Sequence, residues 1–268
     1  MSNLVSVEWL NSHLNDENLI ILDATIPKVT SKAEITKLEV IPNAIFFDII
    51  NKFSDVLAPF PNTIPSQVQF QESAQELGVN NNSKIVVYDA LGIYSSPRVF
   101  WLFKTFGFEN VFVLNGGLPE WKKQGYKTVL EYAKTSSKGD FTAKYQYYKN
   151  VLIDSICEIL ENNSFSIIDA RSSARFNCEI PEPRKKLRSG TIPNSVNLPY
   201  QMVLDNGLLK PKKELKSIFS KLINNQNLVF SCGSGVTASI LYLAALEADY
   251  TNTSIYDGSW TEYGTLIK

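Results

Sequence analysis

The sequence predicts an α/β protein made of two tandem domains, each a parallel sheet flanked by helices. Three observations predict it. Short apolar runs of strand length alternate with segments of helical period, the mark of βαβ units. Four features recur in the same order in the two halves. And 268 residues, 44% of them hydrophobic and 12% aromatic, can fill two modest cores.

The recurring features run as follows. Leu19-Ile-Ile-Leu-Asp23 is an apolar run closed by an acid, and Ile167 to Asp169, followed by Ala170-Arg171, repeats it. Each reads as a buried parallel strand with chemistry or a cap at its carboxyl end. Next come the turns Val40-Ile41-Pro42-Asn43-Ala44 and Thr191-Ile192-Pro193-Asn194-Ser195, each leading into a strand. Then come the strands Lys84 to Asp89 and Asn227 to Cys232, each followed by a glycine-bearing loop and a helical segment. Last, Val111 to Trp121 matches Thr253 to Tyr263 through Asn115-Gly116-Gly117 and Asp257-Gly258-Ser259. Asp89 to Asn115 spans 26 positions and Cys232 to Asp257 spans 25, so duplication is the economical explanation. The expected division is residues 1–135, a polar linker at 136–150, and residues 151–268. The linker is marked by Thr135-Ser136-Ser137-Lys138-Gly139.

Composition excludes several classes. Charged residues are 20% and the formal net charge is -1, without the basic patches that nucleic acids or acidic membranes require. No apolar run approaches a membrane span. Met1 to Glu8 lacks a basic region followed by an apolar stretch, so no secretory leader is read and a cytoplasmic location is expected. Cys157, Cys178 and Cys232 are an odd number, which reads as reduced thiols. Their spacing fits no tetrahedral metal motif, and neither metal nor cofactor is expected. The single histidine, His13, sits in a predicted N-terminal helix as a surface residue. Ser-His-Asp and Cys-His chemistry therefore lack material. Cys157, in the apolar segment Ile156 to Leu160, is expected in the core.

The segment that concentrates chemistry is Cys232-Gly233-Ser234-Gly235-Val236-Thr237. The cysteine stands at the carboxyl end of a predicted parallel strand and just before a helix, the edge where open α/β sheets bind ligands. Gly233 and Gly235 let the loop curl so that successive N–H groups point inward and hold an anion. A thiolate nucleophile and, after it accepts sulfur, a persulfide suit that setting. A small buried cysteine in a glycine turn is the plainer alternative. Cysteine phosphatases use a similar loop but need an arginine six positions on to bind phosphate in bidentate fashion. Ala238 stands there, which argues against phosphate esters.

With those residues in view, the chain resembles two-domain members of the rhodanese superfamily, and within it the 3-mercaptopyruvate sulfurtransferases. The likeness runs from about Val5 to Tyr263. It is carried by the Cys232 loop, by Tyr256-Asp257-Gly258-Ser259-Trp260-Thr261-Glu262-Tyr263 and by Tyr94-Ser95-Ser96-Pro97-Arg98-Val99. The resemblance implies two rhodanese-like domains, the first catalytically silent with Asp89 in place of a cysteine. It implies sulfur passing from 3-mercaptopyruvate to Cys232, pyruvate leaving, and a thiol acceptor such as thioredoxin or small thiols, or cyanide, taking the sulfur. Arg175 and Arg184 match the family's pair of substrate-binding arginines; otherwise they read as solvated loop charges. Ser234 is implied to polarise the donor, and Gly233, Gly235, Val236 and Thr237 to form the binding loop.

The loop itself favours the mercaptopyruvate subgroup. Thiosulfate is a dianion, whereas the positions after the cysteine are the neutral Gly233 and Ser234. A keto acid carries one carboxylate, which suits an arginine fork. The sequence departs from the family at Ile50 and Asn62, where an Asp and a His form a relay to the loop serine, and Ser234 is expected to have lost its partners. A thiosulfate sulfurtransferase and a weakly catalytic sulfur carrier or binding module remain the alternatives.

Overall fold

The computed structural model describes residues 2–28, 39–161, 165–223 and 227–267. It divides into two units. Unit 1 comprises Met1–Val56, Ile64–Gln146 and Asn206–Leu208; unit 2 comprises Leu57–Thr63, Tyr147–Asp205 and Leu209–Lys268.

Unit 1 carries strands β1 (Leu4–Val5), β2 (Leu19–Asp23), β3 (Ala44–Phe46), β4 (Lys84–Tyr88) and β5 (Val111–Leu114). Its helices are α1 (Val7–Ser12), α2 (Gln67–Glu76), α3 (Ser96–Thr105) and α4 (Gly117–Lys123). The sheet order is β1-β5-β4-β2-β3 and every pairing is parallel. The inner strand β4 is buried from Ile85 to Tyr88, as a parallel strand covered on both faces must be. Ser6 and Ser66 cap α1 and α2 by accepting the N–H groups of Trp9 and Gln69. His13 closes α1, its ring stacked 4.0 Å from that of Trp9.

The stretch expected as a linker at 136–150 is anchored over most of its length. Gly139 N–H donates to the Gln75 carbonyl at 2.8 Å, Phe141 N–H to Val79 at 3.1 Å and Gln146 N–H to Thr105 at 2.7 Å. Phe141 is the cause: it is buried against Phe70, Phe103 and Phe108, so a run that reads as polar is tied down by one aromatic ring.

At the end of β4, Asp89 fills its own loop. Oδ2 accepts the N–H groups of Tyr94, Ser95 and Ser96 at 2.9, 3.0 and 2.9 Å and the Ser96 hydroxyl at 2.7 Å, while Oδ1 accepts Leu91 N–H at 2.9 Å. Burial pushes this carboxyl above its ordinary range, and the hydrogen bonds from Ser96, Tyr94 and Leu91 oppose that push.

Unit 2 repeats the plan with β6 (Asn150–Val151), β7 (Ser166–Asp169), β8 (Val196–Asn197), the short strand β9 (Leu204–Asp205), then, past the short β10 (Leu208–Leu209) on which the division falls, β11 (Leu228–Ser231) and β12 (Thr253–Tyr256). Its helices are α5 (Ile153–Glu161), α6 (Ser173–Phe176), α7 (Lys212–Leu222), α8 (Ala238–Glu247) and α9 (Ser259–Leu266). The order β6-β12-β11-β7-β8, again parallel, matches the first sheet strand for strand. Each sheet also closes its β2-type strand with the same turn. Thr25 N–H donates to Asp23 Oδ1 at 2.9 Å, and Arg171 N–H to Asp169 Oδ1 at 2.8 Å.

Cys157 corrects an expectation: it is exposed rather than in the core. Helix α5 buries Ile156 and packs Ile153, Ile159 and Leu160 beside it, and the next residue turns about 100° off that stripe. No helix among the described residues is long and apolar enough to cross a membrane.

Candidate active site

The site is built at the carboxyl end of β11. Cys232 follows Ser231 and is only 2% exposed. The loop then runs into α8, whose residues from Ala238 to Ala245 are all buried, so the loop is fixed at both ends by core.

A second clamp comes from the start of α9. Ser259 Oγ accepts the N–H of Cys232 at 3.1 Å and of Gly235 at 3.2 Å, and donates to the Tyr256 carbonyl at 2.9 Å. Trp260 N–H donates to the Cys232 carbonyl at 3.0 Å, and Thr261 donates to the Gly233 carbonyl through both N–H and hydroxyl. Ser259 holds the left-handed region at φ 51°, and its counterpart in the first repeat, Gly117, sits at φ 53°. A Cβ on Gly117 would lie 2.4 Å from the Asp89 carbonyl oxygen, so only glycine fits there. In unit 2 the loop leaves space, and the side chain that enters it ties the cysteine loop down. Sequence reasoning aligned Ser259 with Gly117 but gave it no role; the signal was a serine at a position where its own repeat needs glycine.

Ser259→Gly tests this clamp without adding strain at positive φ. It leaves two buried N–H groups without their acceptor and is expected to destabilise unit 2 by about 2 kcal/mol. Thermal unfolding followed by near-ultraviolet circular dichroism reads the loss. An unchanged melting curve would remove the clamp from the account.

The amides of Gly233, Ser234, Val236 and Thr237 meet no acceptor among the described residues. In unit 1 the equivalent loop turns the amides of Leu91, Tyr94, Ser95 and Ser96 onto Asp89. Gly235 supplies the curl at φ 78°. Val236 is 7% exposed, and Thr237 stands at the N-cap of α8 without a side-chain cap bond.

Two guanidinium groups close on this loop. A Cβ built on Gly233 would lie 3.0 Å from Arg175 Nη2 and 3.4 Å from Arg184 Nη1, so glycine lets both arginines reach the backbone beside Cys232. Arg184 Nη2 also donates to Ser234 Oγ at 2.8 Å. Arg175 is held by Glu182, with Nε–Oε1 at 3.2 Å and Nη2–Oε2 at 2.5 Å. Glu182, whose side chain is fully buried, bonds Arg171 Nη1 at 2.8 Å as well. Arg171 is in turn gripped by Asp169 and lies over the Trp260 ring at 5.1 Å. Arg171 and Arg175 thus share Asp169 and Glu182, and Arg184 brings a third guanidinium to the loop. Arg175 and Arg184 are not the solvated charges that an unplaced loop arginine suggests, and Glu182 is a further residue that sequence reasoning passed over.

The expectation for Ser234 also needs correction. Its hydroxyl has partners: besides Arg184, Asn62 Nδ2 donates to Ser234 Oγ at 2.9 Å and faces the Ser234 carbonyl at 3.4 Å. Asn62 lies in the segment Leu57–Thr63 that belongs to unit 2. Ile50, the other departure, is 48% exposed in unit 1. Cys178, between the two arginines, is exposed.

The Rhodanese-like domain family matches residues 6–124 and 153–265. The 3-mercaptopyruvate sulfurtransferase of Escherichia coli (strain K12) is 36% identical over 266 residues, covering 97% of this chain and 94% of that protein. The thiosulfate/3-mercaptopyruvate sulfurtransferase 2 of Arabidopsis thaliana is 36% identical over 288 residues, covering 98% and 84%. The crystal structure of SseA from Escherichia coli, a 3-mercaptopyruvate sulfotransferase with the rhodanese fold, superposes with a TM-score of 0.87 at 33% identity, covering 97% of this chain and 99% of that one. Two copies of the domain, matched over nearly the whole chain and folded on one strand order, establish that this chain belongs to the rhodanese-like domain family.

Proposed function

We propose that this chain is a sulfurtransferase that takes sulfur from 3-mercaptopyruvate onto Cys232, releases pyruvate and passes the sulfur to a thiol acceptor or cyanide. One observation carries the reading: Arg175 and Arg184 converge on Gly233 beside Cys232, in a loop that has no charge of its own. Two planar guanidinium forks beside a neutral loop suit the carboxylate and keto oxygen of a keto acid.

The chemistry follows from the placement. The Cys232 thiolate attacks the donor's sulfur, and an S–S bond forms as the C3–S bond breaks. The bonding pair moves onto C3, giving the enolate of pyruvate, which takes a proton from water. Arg175 and Arg184 hold the carboxylate and keto group, and the Ser234 hydroxyl donates to the keto oxygen as charge gathers there. The open amides of Gly233, Ser234, Val236 and Thr237, with Gly235 setting the curl, stabilise the thiolate and then the persulfide. An acceptor thiolate next attacks the outer sulfur and frees Cys232. Thioredoxin or small thiols suit that step in a reducing compartment such as the cytoplasm, a placement supported by three free cysteines. The first repeat, expected over 1–135, is silent, because Asp89 offers a carboxylate already bound by its own loop.

The test is intact mass and steady-state kinetics. Incubation with 3-mercaptopyruvate is expected to add one sulfur atom, and kcat/KM for this donor to exceed that for thiosulfate. Preference for thiosulfate would reassign the donor. No gain from either donor would leave a binding module.

A further inference from the structure

We propose that Asn62 is a positioning residue: together with Arg184 it fixes the direction of the Ser234 hydroxyl, making it a hydrogen-bond donor aimed at the substrate. The inference rests on the sulfurtransferase reading and assigns how the loop's one hydroxyl beside the arginines is oriented. A hydroxyl has two lone pairs and one proton. Arg184 Nη2 at 2.8 Å and Asn62 Nδ2 at 2.9 Å fill both lone pairs. Neither partner can accept at those atoms, and Ser234 Oγ donates to nothing among the described residues. Its proton is therefore directed away from both donors.

The side-chain amide has one orientation that fits. Its nitrogen faces both the Ser234 hydroxyl and the Ser234 carbonyl, the latter at 3.4 Å; turning the amide over would set carbonyl against carbonyl. The backbone fits as well, since Asn62 sits at φ 61°, where asparagine is among the few side chains tolerated. A cationic and a neutral donor on one oxygen also polarise its O–H bond, which strengthens donation to an oxygen gaining negative charge. Asn62 does not titrate, so this device keeps its direction at every pH at which the protein is folded.

The experiment compares Asn62→Asp, Asn62→Gly and Asn62→His with the unaltered protein. Steady-state kinetics with 3-mercaptopyruvate and a dithiol acceptor are combined with rapid-quench measurement of the one-sulfur mass gain. Asn62→Asp keeps size and tolerance of positive φ but accepts from Ser234 and pulls its proton inward. Asn62→Gly accepts the backbone and removes the donor. Both are expected to lower kcat and the loading rate by about 10²-fold with KM little changed, because the carboxylate is held by arginines. Asn62→His, which tolerates positive φ and restores an N–H donor, is expected to recover most of the rate. Melting curves accompany each variant. Unchanged kcat in Asn62→Asp and Asn62→Gly, a rise in KM alone, or failure of both to fold would each overturn the positioning role. If the unaltered protein gains no sulfur from 3-mercaptopyruvate, the functional reading fails instead.

Discussion

Replacing Cys232 with serine is expected to abolish the one-sulfur mass gain and to lower turnover by about 10⁴-fold or more. The size of the effect follows from the role. The residue must attack a sulfur atom, hold it covalently and release it to a second nucleophile. A serine hydroxyl is a poor nucleophile without a base beside it. The one histidine, His13, lies in unit 1 and closes α1 with its ring on Trp9. Folding should survive. The Cys232 N–H and carbonyl are bonded to Ser259 and Trp260 through the backbone, independent of the side chain. The exchange places a hydroxyl in a 2% exposed position at a cost of about 1 kcal/mol. Intact mass after incubation with donor, alongside a melting curve, is the measurement. A variant that still gains sulfur would move the carrier to Cys157 or Cys178, both exposed thiols.

The fold was legible because duplication writes the same signal twice. Asp23 and Asp169, the Pro42 and Pro193 turns, and the Asn115 and Asp257 turns mark equivalent points, and the two sheets share one strand order. The Cys232 loop was legible for a local reason: strand, two glycines and helix are contiguous, and so is the chemistry. What escaped was everything set by contacts distant in sequence. Asn62 lies 172 positions from Ser234, so nothing near either residue reports their bond. Ser259 looked like one more member of a matched turn until its hydroxyl was seen to accept two amides of the cysteine loop. Phe141 was hidden in a polar run, and Cys157 sits one position off a buried stripe whose phase the short apolar segment did not reveal. Glu182 was hidden by its surroundings: in Pro181-Glu182-Pro183-Arg184 it reads as a solvated loop acid.

Glu182→Gln is expected to be the most damaging change outside the nucleophile. The side chain is fully buried and bridges Arg171 and Arg175. Burial alone would draw the Arg171 guanidinium below its ordinary range; Asp169 and then Glu182 reverse that and hold it above. Glutamine keeps the shape but removes the charge, and its NH₂ would face N–H groups of one arginine or the other. Arg175 would then lose its carboxylate partner, and Arg171 would keep only Asp169. Leaving a buried charge uncompensated is expected to cost about 3 kcal/mol, lowering the melting temperature of unit 2 by roughly 6–12 °C. Activity should fall further than stability explains. Arg175 reaches Gly233 only while Glu182 holds its Nε and Nη2, and a displacement of about 1 Å at a substrate-positioning group can cost roughly 10²-fold in rate. Kinetics well below the melting transition separate the two effects. A rise in KM for 3-mercaptopyruvate in folded protein assigns Glu182 to aiming Arg175 at the donor. Normal KM with reduced melting temperature confines it to the core. If both are unchanged, the buried bridge does not aim Arg175, and its role in holding the donor loses its geometric support.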